Sequence, residues 1–165
     1  MRTISFITIM CAILVSCKSK QADPNLPVLS SGTIDRIENF DSKHITPRNV
    51  DVWLPDNYSK RKKYNVLYMH DGQLLFDSTQ TWNGQEWGVD ESMAELLNEG
   101  AIRNTIVVGI WNTEFRRSEY FPQKPFDSLP EAFSDSLLKY AMKRPGNKLF
   151  KNTKVVSDNY LQFLV

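Results

Sequence analysis

Apolar positions along the chain recur with two different periods. Thr33 to Phe40 and Arg48 to Leu54 alternate as strands do, the second putting Val50, Val52 and Leu54 on one face. Pro55-Asp56-Asn57-Tyr58 then reads as a turn, and the two strands are expected to be antiparallel neighbours. Tyr64 to Met69 is apolar on both alternations, which suits a strand covered on both faces in a parallel sheet flanked by helices. From Val89 to Glu99 the period becomes helical, with Met93, Leu96 and Leu97 as the apolar stripe. Asp90 and Glu91 favour the N-terminal end, and Gly100 stands at the C-cap. Thr105 to Ile110 is a second buried strand, so strand, helix and strand form a βαβ unit. Ser128-Leu129-Pro130-Glu131 has capping-box spacing and opens a helix to about Met142, before Pro145-Gly146-Asn147. Ser157 is placed to cap a last helix with Tyr160, Leu161, Leu164 and Val165 on one face. Its apolar end at Phe163-Leu164-Val165 carries no cap, which reads as an element cut off.

The first residues follow another logic. Arg2 precedes a mostly apolar run of 12, Ile4 to Val15, too short to cross about 30 Å of hydrocarbon at 1.5 Å per helical residue. It is expected to be a targeting segment. Leu14-Val15-Ser16-Cys17 resembles a bacterial lipobox, which implies lipidation of Cys17 and cleavage after residue 16. Lys18 to Ser31, with two prolines, reads as a tether. The expected organisation is a signal peptide at 1–16, a lipidated N-terminus and tether at 17–32, and one domain at 33–165, held on the membrane by its acyl chains without spanning it.

Removing 16 of 165 residues leaves 149, enough for one core and short for a barrel of about 250 residues. Charge narrows the partners: losing Arg2 leaves 19 Lys and Arg against 19 Asp and Glu, so no basic face favours nucleic acid. The run Lys60-Arg61-Lys62-Lys63 reads as a solvated loop before a strand. Of the two cysteines, Cys11 leaves with the peptide and Cys17 is lipidated, so the domain has no thiol nucleophile, no disulfide and no cysteine-held metal. No metal or cofactor is expected.

Candidate chemistry clusters behind the apolar strands. A strand stopping at His70-Asp71-Gly72-Gln73 puts polar groups and a glycine at a strand's C-terminal end, where ligands bind in open α/β sheets. Gly72 would let backbone N–H groups turn toward a bound oxygen, or the stretch is only a turn. His70 is either a structural histidine or a base, and Asp71 a turn residue, a base or a metal ligand. Glu86 with Trp82 and Trp87 suits a pocket wall, or equally a set of aromatics under a long loop. Arg116, Arg117 and Glu119 follow the second parallel strand and either recognise an anion or pair with one another.

Tyr64 to Asp77, Tyr-Asn-Val-Leu-Tyr-Met-His-Asp-Gly-Gln-Leu-Leu-Phe-Asp, resembles the corresponding stretch of the esterase family of α/β-hydrolases, relatives of ferric enterobactin esterases, feruloyl esterases and S-formylglutathione hydrolase. Further stretches resemble it in the same order. They are Val50 to Pro55 with Tyr58, Trp82 to Glu91, Ile106 to Ile110 with Asn112, and Arg116 to Pro122; Ser157 to Leu161 resembles the helix before the nucleophile strand. The resemblance implies ester hydrolysis by a Ser-His-Asp/Glu triad, with one oxyanion N–H from the loop at Asp71, Gly72 and Gln73. It also implies a sheet in which Tyr64–Met69 lies between the second parallel strand and the nucleophile strand, leaving its outer edge unpaired here. The sequence departs from the family in one respect: Gly-x-Ser-x-Gly occurs nowhere, and both histidines, His44 and His70, precede the nucleophile's place.

The expected fold is therefore α/β, a three-layer α/β-hydrolase fold that is incomplete, interrupted before the nucleophile elbow. The expected function is that of the N-terminal portion of an exported, lipid-anchored serine esterase, inactive alone, whose parent acts on a small-molecule or polysaccharide-linked ester. Catalytic residues are expected to be absent, with Asp71, Gly72 and Gln73 as oxyanion loop. His70, Trp82, Glu86, Trp87, Asn112, Arg116, Arg117 and Glu119 are the pocket candidates. The alternatives are a non-catalytic surface lipoprotein that binds a saccharide or siderophore, and a complete small enzyme using His70 and Asp71.

Overall fold

A computed structural model describes residues 23–142, 150 and 154–165. The expected signal peptide, Cys17 and the Pro145-Gly146-Asn147 stop lie outside the described residues. Four strands form one sheet: β1 (Thr33–Phe40), β2 (Arg48–Leu54), β3 (Asn65–His70) and β4 (Thr105–Ile110). The helices are α1 (Val89–Asn98), α2 (Arg116–Tyr120), α3 (Gln123–Asp127), α4 (Glu131–Met142) and α5 (Ser157–Leu164). The sheet order is β1-β2-β4-β3, with β1 and β4 antiparallel to β2 and β3 parallel to β4. This is the expected α/β pattern, with α1 as the crossover between the parallel strands.

Period-two alternation sends Trp53 and its register partner Val107 to one face, where both are fully buried. They pack against Leu75, Phe76, Val89 and Met93, which come from the segment after β3 and from α1. Val50, Val52 and Leu54 alternate with Asp51 and Trp53 as expected, and of the three only Val50 is buried. Trp53 and Asp51 are the more completely enclosed: Leu75, Val89 and Met93 pack with Trp53, while Arg36 and the Trp111 indole cover Asp51. Deleting a ring such as that of Trp53 costs about 3–5 kcal/mol in a packed core.

The strand expected to be covered on both faces, β3, is instead open, with Tyr68 64% exposed and Val66 and Leu67 also facing solvent, and it lies at one edge of the sheet. No described residue pairs with its outer edge, as the resemblance implied. The helix expected at Val89–Glu99 is α1, closed by a Schellman arrangement: Ala101 N–H donates to Leu96 C=O and Gly100 N–H to Leu97 C=O, with Gly100 at φ 68°. Leu96, expected in its stripe, is the more exposed neighbour of Leu97.

Two expected caps form otherwise. Ser128 donates its hydroxyl to Pro125 C=O and ends α3, an element that the sequence did not announce, while α4 starts at Glu131. Ser157 lies in the first turn of α5 and its hydroxyl accepts from Gln123 N–H. On α5, Tyr160 is buried but Leu161 faces solvent. Phe163, three residues on from Tyr160, packs edge-on against Phe40 at 6.0 Å instead.

Candidate functional site at the ends of the parallel strands

β3 and β4 run in the same direction, so their C-terminal ends open together. Past His70 the chain turns through Asp71 in the left-handed conformation (φ 59°, ψ 43°) into a 3-10 turn, Gly72–Leu74. Leu74 N–H donates to Asp71 C=O at 2.8 Å and Leu75 N–H to Gly72 C=O at 3.4 Å. In an i to i+3 ladder the first N–H groups have no preceding acceptor, which leaves those of Gly72 and Gln73 as donors outside the ladder. Gly72 does not turn with positive φ, the freedom expected of it. It is glycine because its Cα abuts β4, where a Cβ would sit 2.6 Å from Gly109 backbone atoms.

Side chains tie this loop to the segment after β4. Gln73 Oε1 accepts from Asn112 N–H at 3.0 Å, and Asn112 Nδ2 donates to Asp71 Oδ1 at 2.6 Å. Arg116, at the start of α2, grips Asp71 with two bonds, Nε to Oδ1 at 2.7 Å and a terminal NH2 to Oδ2 at 2.6 Å. Partial burial raises the Asp71 pKa, but the hydrogen bonds from Arg116 and Asn112 and the Arg116 charge outweigh it and hold the carboxyl below its ordinary value. A carboxylate held this acidic is a weak proton acceptor at neutral pH, so Asp71 serves as an anchor of the turn. Five sequence candidates, Asp71, Gly72, Gln73, Asn112 and Arg116, thus come together.

The others part company. Arg116 and Glu119 do not pair with each other as the surface reading had it. Glu119 is buried and bound bidentately by Arg48, at 2.9 and 2.7 Å, a partner that sequence reasoning missed. Arg117 lies on the exposed side of α2. His70 Nδ1 is 2.8 Å from the Tyr160 hydroxyl, and its ring lies 5.0 Å from that of Tyr120 and 5.5 Å from that of Tyr160. Burial pushes both tyrosine hydroxyls up, reinforced at Tyr120 by Tyr160, so they stay protonated. His44 lies in the loop before β2, half-buried.

Trp82 and Trp87, expected to flank Glu86 in one wall, are 86% and 70% exposed. Trp82 alone lines a cavity of about 210 Å³ that also touches Gly72 and Gln73. Trp87 contributes its N–H to Leu74 C=O at 3.0 Å instead. Glu86 itself is exposed; the slight desolvation it meets, with the charges of Glu91, Asp90 and Asp77 nearby, raises its pKa. A second missed group lies deeper: Asp51 accepts from Arg36 at 2.6 and 2.8 Å and from the Trp111 indole at 2.8 Å. The signal was present, since a carboxylate between Val50 and Val52 on a strand must find a cation when buried. Among the described residues no group of His, Cys, Asp and Glu is placed to hold a metal ion, and no helix is long and apolar enough to cross a membrane.

Comparison with known proteins bears on this geometry. A CE1 ferulic acid esterase from Anaeromyces mucronatus, seen with ferulic acid, is 19% identical over 97% of this chain at a TM-score of 0.44. The same enzyme without substrate gives 20% over 94% at 0.45. The chain spans 47% and 45% of those two chains, about half their length. No curated protein matches it. The model of the Esterase family, described as "Putative esterase", matches residues 43–136, a span that runs from the loop before β2 through the whole Asp71–Arg116 network. With more than half of its residues so matched, the chain belongs to the Esterase family.

Proposed function

We propose that this chain is the N-terminal portion of an exported, lipid-anchored serine esterase, a carboxylic ester hydrolase, to which it contributes the oxyanion loop and part of the pocket wall. The observation that carries this reading is the Gly72–Gln73 turn. It sits at the end of a parallel strand, with two N–H groups outside its own ladder, and is clamped through Gln73, Asn112, Asp71 and Arg116. Donors fixed in advance stabilise a developing oxyanion better than donors that must reorganise. The nucleophile, acid and base belong to the rest of the parent protein, and the chain alone hydrolyses nothing. Its substrate would be a small-molecule or polysaccharide-linked ester. The anchor is Cys17, which places the domain at the cell envelope.

Reading the genomic frame past codon 165 tests the assignment. A continuation into Gly-x-Ser-x-Gly within about 10–25 codons is expected, and a stop without it favours a saccharide- or siderophore-binding lipoprotein. In the laboratory the purified chain should leave p-nitrophenyl acetate intact; turnover abolished by His70→Ala would overturn its inactivity. Cys17→Ser should move the protein out of the membrane fraction.

A further inference from the structure

Five cations gather at the end of the sheet opposite the site. Lys60, Arg61, Lys62 and Lys63 occupy the turn that leads into β3, and all four are exposed. Parallel pairing of Asn65 with Thr105, and the bond from Asn65 N–H to Asn104 C=O at 2.8 Å, bring exposed Arg103, at the entry to β4, to the same end of the sheet. Among the described residues none of the five is ion-paired. Asp56, the acid just before the turn, is engaged by the Ser31 hydroxyl at 2.7 Å and by Gly32 N–H at 3.0 Å.

The turn is held by its own bonds. Tyr58 N–H donates to Pro55 C=O at 2.8 Å, Lys62 N–H to Ser59 C=O at 3.0 Å and Ser59 N–H to the Tyr64 hydroxyl at 2.9 Å, while the Tyr58 and Tyr64 rings lie 5.0 Å apart. Within the turn Lys62 Nζ donates to Asn57 C=O at 3.2 Å. The sequence reads this run as a solvated loop. Folded, it keeps like charges together at a fixed place, where they repel one another until an anionic surface lies against them.

Chain length brings such a surface within reach. The backbone is bonded to the domain from Leu26 on: its carbonyl accepts from Gln80 at 2.8 Å, Val28 N–H donates to Asp77 at 2.8 Å and Ser30 N–H to Asp90 at 2.7 Å. Leu26 lies nine residues after Cys17, at most about 30 Å of extended chain and about the diameter of a small domain. A domain held by acyl chains on Cys17 therefore meets the headgroups through one of its faces. The parallel strands open their C-terminal ends at the Gly72–Gln73 turn, and the cations stand at their N-terminal ends. Contact through the basic end leaves the site facing away from the bilayer.

We propose that Lys60, Arg61, Lys62, Lys63 and Arg103 form a docking face for the anionic headgroups of the bilayer, with Tyr58 at the headgroup level. The face rests on the lipid-anchored reading for its setting. Acyl chains supply the hold, and cations within a Debye length of the leaflet, about 8 Å at physiological salt, supply the orientation. By itself so short a patch binds reversibly and does not survive washing, so the release expected of Cys17→Ser stands.

Vesicle sedimentation tests the face on the chain made without its signal peptide and with Cys17→Ser, so that no acyl chain contributes. Vesicles of equal parts phosphatidylglycerol and phosphatidylcholine should carry the chain down, and phosphatidylcholine alone should not. Raising the salt from about 50 to about 500 mM should weaken binding tenfold or more. Lys60→Gln, Lys62→Gln and Lys63→Gln together should do the same with the thermal midpoint unchanged, since all three are exposed. Lys43→Gln, Lys124→Gln and Lys154→Gln, equally exposed and elsewhere, should leave binding as it is. Equal sedimentation with phosphatidylcholine, an equal loss from both triple variants, or binding to soluble heparin without sedimentation would overturn the proposal, as would no binding at all. Failure of Cys17 to carry lipid would defeat the anchor and leave the vesicle result standing, so the two readings fail separately.

Discussion

Gly72 and Gly109 stand back to back. A Cβ on Gly72 would meet the Gly109 carbonyl carbon and oxygen at 2.6 Å, and one on Gly109 would meet the Gly72 Cα at 3.2 Å. Two chain segments at the ends of neighbouring parallel strands therefore touch through backbone, and this contact sets the height of the Gly72–Gln73 turn over the sheet.

Gly72→Ala should destabilise the domain by about 3 kcal/mol, at the upper end of ordinary overpacking, because the obstructing atoms are backbone and cannot rotate away. Gly100→Ala, at φ 68° in open space, should lose only about 1–2 kcal/mol from the left-handed conformation. Urea midpoints of the two variants check the order, and equal losses would mean that the close approach is slack.

The Arg48–Glu119 pair joins β2 to α2 with both side chains 3% exposed or less. Glu119→Ala leaves a guanidinium buried against the Tyr160 and Phe163 rings and should cost about 3–5 kcal/mol. The double variant Arg48→Met with Glu119→Leu should recover most of that. A thermal-denaturation cycle measures the coupling, and additive losses would argue against it.

Asp71 titrates below its ordinary value of 3.8. A depressed carboxyl contributes stability that is present above its unfolded value and lost as pH falls through the folded one. Anchoring of the turn should therefore persist at neutral pH and weaken only below about pH 4. Since the Arg116 side chain is 48% exposed, the pair is worth no more than about 1 kcal/mol. Arg116→Gln should raise the Asp71 pKa, which carbon-detected NMR titration reads directly; an unchanged value would remove Arg116 as the cause.

With no Lys, Arg, Asp or Glu along its length, β3 presents Val66, Leu67 and Tyr68 to solvent at an edge that no described residue covers. Such edges template pairing with other chains. Tyr68→Lys should lower self-association without changing the thermal midpoint by more than a degree or two. Light scattering against concentration provides the check, and unaltered scattering would place association elsewhere.

What was legible in the sequence was local. Strand alternation placed the four strands within a residue of their ends, and Gly100 marked the end of α1, because a left-handed cap and a two-residue period are written in consecutive side chains. The loop Asp71-Gly72-Gln73 was found through its place after an apolar strand and through family resemblance. Its partners Asn112 and Arg116 lie 39 or more residues away, at distances that no period reports.

By itself, then, the sequence determined the four strands and the helices α1, α4 and α5, and that no Gly-x-Ser-x-Gly elbow lies within these residues. Only the tertiary structure decided that Glu119 serves Arg48, that Gly72 is glycine for want of space, that the faces of β3 stand open, and that residues 28–32 are bonded to the domain instead of hanging from it as a leash. The physical reason is the same in each case. Burial, counter-charge and free volume are properties of surfaces meeting, and the surfaces that meet here come from segments far apart along the chain.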